Sequence, residues 1–146
     1  MTYFMNNLGN DSAYNFLKLG EKFREAAKIL NQHYRNAPDW PTFLLACQGL
    51  ELYLKAFLRA KSMSLDDLKN KIGHDLQLAY KRSKDLGLWK VAEVDEEMIT
   101  LLNQVYKERD FQYRASGEWE LPLVGDLISF LDRNHSAFLE QAVHST

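Results

Sequence analysis

Little in this 146-residue chain supplies covalent or metal-built support. Cysteine occurs once, as Cys47 inside an apolar run, so no internal disulfide can form and the thiol suits a small buried hydrophobe. With that single thiol and four dispersed histidines, none paired at ligand spacing on one helix, no zinc site is expected. Glycine is too scattered for a phosphate-cradling loop, and there is neither a Ser-centred nucleophile elbow nor a strand to carry one. Glu-x-x-His pairs of the di-iron type are absent, and no cofactor is expected. No apolar run is long enough to span a bilayer, and Met1 to Asn7 lacks a basic stretch followed by an apolar one, so a soluble, cytoplasmic protein is the expectation. Charge of one sign is also lacking: eighteen basic against twenty acidic residues leave −2, no field to hold nucleic acid or an anionic membrane. Within Glu51 to Lys90, however, nine Lys/Arg meet five Asp/Glu, a local +4 that fits a solvated basic face or a weak polyanion surface.

What the chain has is helical periodicity. From Thr42 to Ala60 nearly every residue is apolar or small except Gln48, Glu51, Lys55 and Arg59, which recur every three to four positions. That pattern predicts a central helix, apolar nearly all round, with Pro41 suited to its first turn. Ahead of it, Asp11 or Ser12 offers a cap to an amphipathic helix carrying Phe16, Phe23, Ala27, Leu30 and Tyr34. After it, Ser64 to Asp67 reads as a capped start of a short helix, Gly73 and Asp75 as a turn and a cap, and Leu76 to Leu86 as a helix stopped by Gly87. Asp95 to Glu97 is the acidic first turn of a helix with Met98, Leu102, Val105 and Tyr106 on one side. Glu108 to Leu121 loses the period and reads as an ordered loop, and Pro122 is expected to open the last helix, ending near Val143. The expectation is one domain over 1–146, core about 12–143, as an all-α, mostly antiparallel bundle of four to five helices.

The polar residues set in apolar surroundings are Gln48, Glu51, Lys55, His74, Asp75, Arg109, Tyr113 and Arg114. Each has a plain structural account. Glu51 and Lys55 form the favourable i, i+4 orientation of a helix ion pair, which would need further partners if buried. Asp75 caps a helix, His74 closes a turn, and the arginines lie over aromatic neighbours.

Together they resemble the HEPN superfamily of small helical domains. The features that carry the resemblance are the helix Gly49 to Leu58 with Glu51 and Lys55, the Gly73-His74-Asp75-Leu76 element, and the cluster Tyr106, Arg109, Tyr113, Arg114 ahead of the last helix. The resemblance implies an up-down bundle, frequently a homodimer, in toxin-antitoxin, phage-defence or RNA-processing systems, with a nucleotide, RNA or an antitoxin-like protein as partner. Many members look like metal-independent ribonucleases using Arg, four to six residues, then His. None of the seven arginines here has a histidine at that spacing, so that activity does not carry over residue by residue. His74, Arg109 and Arg114 remain the catalytic candidates if a site assembles in three dimensions. Three readings follow: a non-catalytic binding module, a divergent ribonuclease toxin, and a structural dimerisation domain.

Overall fold

The structure, a computed structural model, describes residues 1–2, 12–35, 39–90, 92, 94–107 and 120–144. Arg109, Tyr113 and Arg114 lie outside the described residues, as does nearly all of the expected 108–121 loop. The described elements are helical: α1 (Ala13–His33), α2 (Trp40–Ala60), α3 (Leu65–Asp67, continued by a π-helical turn Leu68–Ile72), α4 (Leu76–Asp85), α5 (Glu96–Tyr106) and α6 (Val124–His144), with a short 3₁₀ turn at Leu88–Lys90.

Short polar side chains set where five of these helices begin. Ser12 and Ser64 accept a hydrogen bond from the amides of Asn15 and Asp67, and Asp39, Asp75 and Asp95 do so from Thr42, Leu78 and Met98, in each case three residues on. Each bond satisfies an amide that the helix leaves unpaired and is worth about 0.5–2 kcal/mol. Ser12 rather than Asp11 is thus the first cap. The last helix begins at Val124 and not at Pro122, because the Leu123 carbonyl is the first to accept from helical amides, those of Asp126 and Leu127.

Contacts along the helices fix their directions. Gly20 approaches Tyr53, Gly49 lies against the Gly20 carbonyl and the Arg24 amide, and Asn31 shares a cavity wall with Trp40 and Phe43, so α1 and α2 are antiparallel. Leu131 reaches Gly49, and His135 and Phe138 reach Tyr53, so α6 runs alongside α2 in the same direction, the return made through α3 to α5. Asp75 meets Asn103 and Lys107 while Lys84 meets Glu96, which makes α4 and α5 antiparallel.

The centre of α2 is the core. Every residue from Gly49 to Leu58 is buried, and Leu50, Tyr53, Leu54, Ala56, Phe57 and Leu58 are at most 1% exposed. Burying each large side chain of this kind contributes about 1.5–3 kcal/mol. Where α1 crosses α2 the helices touch at glycine: a Cβ on Gly20 would stand 2.7 Å from a Tyr53 ring carbon, too close for any side chain without movement.

Candidate functional site

Glu51 is 7% exposed and Lys55 8%, so the pair is no solvent-facing stripe. A buried ion pair needs additional hydrogen bonds to offset its desolvation, and Glu51 finds them. Its Oε2 accepts from the Lys55 ammonium at 3.2 Å, while Oε1 accepts from His74 Nδ1 at 2.7 Å and from the Tyr106 hydroxyl at 2.9 Å. Three elements converge on one carboxylate: α2, the turn before α4, and the last residue of α5.

Local geometry puts His74 there. The π-helical turn closes with the Gly73 amide donating to the Leu68 carbonyl, and Gly73 takes φ +55°, a conformation that favours glycine. The chain then enters α4 through Asp75. Asp75 Oδ1 accepts from the Leu78 amide and from the Asn103 side chain, both at 3.0 Å, and Oδ2 faces Lys107 at 3.2 Å. Burial alone would raise the Asp75 pKa, but the bonds from Leu78, Lys107 and Asn103 outweigh it and hold the carboxyl below its ordinary value. Asn103 also accepts from the Leu76 amide, tying α4 to α5 directly behind the histidine. The His74 side chain is 50% exposed, its ring edge-on to Tyr106 at 6.1 Å between centroids.

Of the residues singled out from sequence, the fold thus brings Glu51, Lys55, His74 and Asp75 into one region. Gln48 is half-buried one turn earlier on α2, and no described hydrogen bond joins it to this cluster. Arg109, Tyr113 and Arg114 follow Lys107 within seven residues of sequence but lie outside the described residues. Among the described residues no group of three His, Cys, Asp or Glu side chains is placed to hold a metal ion, and no helix is long and apolar enough to cross a membrane.

Sequence reasoning missed a second polar network on the other side of α2. Tyr53, with no measurable exposure, accepts from Arg24 at 3.0 Å and lies 2.7 Å from His135 Nδ1. An arginine only donates, so the arrangement that satisfies every group has the phenol donating to Nδ1 and the ring hydrogen on Nε2, which faces Glu21 at 3.7 Å. Arg24 and Lys28 both pair with Asp132, at 3.3 and 3.1 Å. Burial pushes the Tyr53 pKa well up, and burial followed by the Arg24 guanidinium pushes His135 down. The one available signal was the helical spacing of Glu21, Arg24 and Lys28 on α1 and of Asp132 and His135 on α6.

Comparisons with protein-family models, with curated proteins and with solved structures give no match.

Proposed function

We propose that the chain is a HEPN-like, non-catalytic helical module that binds a phosphate-bearing ligand, a nucleotide or RNA, on the face where His74 emerges from the bundle. The observation that carries this reading is a half-exposed imidazole anchored on a buried carboxylate, which Lys55 and Tyr106 hold in turn. A half-exposed ring held by these bonds has little orientational freedom left to lose, as suits a binding contact. The flanking Lys/Arg excess between Glu51 and Lys90 supplies the matching charge sign. A binding rather than cleaving role is supported by the absence of any Arg-x(4-6)-His spacing in the sequence.

The test is a titration of the purified protein with ATP and with a short single-stranded RNA, read by NMR shifts of the Gly73 and Leu76 backbone amides beside His74 and by RNA integrity on a gel. Saturable shifts in wild type, lost in His74→Ala, with RNA left intact, support the module. Cleavage that disappears in His74→Ala supports the divergent ribonuclease. The burial of Glu51, Lys55 and Tyr106 favours a structural reading of the same cluster. A folded His74→Ala protein indistinguishable from wild type towards both ligands would establish that alternative.

A further inference from the structure

A cavity of about 520 Å³ lies where α2 and α6 both begin, within the range that small-molecule sites occupy. Its floor is apolar, formed by Phe43, Leu121, Pro122 and Val124, with Trp40 and Phe43 tilted against each other at 6.2 Å. The gap behind these two rings, towards Tyr106, holds only about 10 Å³, so the aromatic wall is backed by packed side chains.

Among the described residues, the charged lining has one sign. Asp39 and Asp126 are its only charged side chains among the described residues. The positive ends of α2 and α6 would by themselves attract an anion. Here, however, Asp39 already occupies the start of α2, accepting from the Thr42 amide and hydroxyl, and Asp126 stands in the first turn of α6. An anionic ligand would meet two carboxylates. A cation is attracted to both of them.

From this complementarity we infer that the cavity is a binding site for an organic amine: an apolar or aromatic body against Phe43 and Val124, with its ammonium directed to Asp39 and Asp126. The site is separate from the His74 face, and a glycine in its wall gives direct access to the question. A Cβ on Gly125 meets nothing nearer than the Asn31 amide nitrogen at 3.9 Å, so the backbone there has room for a side chain, and Gly125→Leu is expected to take up part of the cavity.

The probes are 4-phenylbutylammonium, 4-phenylbutanol and 4-phenylbutyrate, titrated into the full chain by calorimetry and followed by NMR at Trp40. The ammonium is expected to bind at least tenfold tighter than the carboxylate, with the alcohol between them. Asp126→Asn should weaken the ammonium by about threefold, as suits an exposed charge contact, and leave the alcohol unchanged. Gly125→Leu should abolish binding of all three while keeping the wild-type helix content. Equal binding of the ammonium and the carboxylate, or no binding of any probe to wild type, overturns the proposal.

Discussion

Two polar networks share α2 and face opposite ways. Glu51 and Tyr53, two residues apart and so about 200° apart around the helix, each anchor a histidine from another segment. At Glu51 the centre is an acceptor-only carboxylate that collects three donors, and the histidine side chain at its edge is 50% exposed. At Tyr53 the centre is a phenol that both accepts and donates, within a relay from Arg24 to His135, and the histidine side chain is only 20% exposed. The first arrangement projects an imidazole outwards. The second encloses one and uses it to join α1, α2 and α6. Both centres are buried, and what differs is the exposure of the outermost group.

The sharpest way to break the comparison is at its charged centre. Glu51→Ala leaves the Lys55 ammonium buried without its carboxylate and should cost about 3–5 kcal/mol in urea unfolding, the largest loss of the set. A cost near zero would mean that Lys55 reaches water unaided. Asp75→Ala removes the α4 cap together with the Asn103 and Lys107 contacts and should cost about 2 kcal/mol. Because Asp75 positions the His74 turn, ligand-induced shifts at His74 should weaken with it. Tyr53→Phe keeps the ring and deletes the relay. With Arg24 still paired to Asp132, a loss of about 1 kcal/mol is expected, with no change in ligand response at His74.

The smallest effect separates the networks by pH. His135 has a lowered pKa in the fold, so below the ordinary value near 6.5 the unfolded chain takes up a proton that the folded chain does not. Its contribution is thus complete above about pH 6.5 and is lost as the pH falls towards the lowered value. Asp75 is also lowered, from an ordinary 3.8, so its contribution persists through this window and fails only in stronger acid. Urea midpoints at pH 7.5 and 5.5 should therefore differ for wild type and differ less for His135→Gln. Identical shifts in both proteins would remove His135 as the cause.

Glu51, Lys55 and His74 were legible because they break an apolar pattern: a Glu and a Lys one turn apart in a run of leucines, then a glycine followed by His-Asp. The Tyr53 cluster was not, because a tyrosine in such a run reads as one more apolar residue. Arg24, Asp132 and His135 read as ordinary polar positions on amphipathic helices. Only the approach of Gly20 to Tyr53 where α1 crosses α2, and the position of α6 alongside, shows that the phenol has partners.

By itself the sequence determined the helices, because 3.6-residue periodicity and Ser or Asp caps act over a few residues of chain. It also determined which helix is central, since only α2 is apolar nearly all round. The tertiary structure decided that α6 runs parallel to α2, that Glu51 meets His74 and Tyr106 from segments 23 and 55 residues away, and that an acidic-rimmed cavity opens where α2 and α6 begin. Those features depend on how side chains far apart in sequence fill one volume, which no local period encodes.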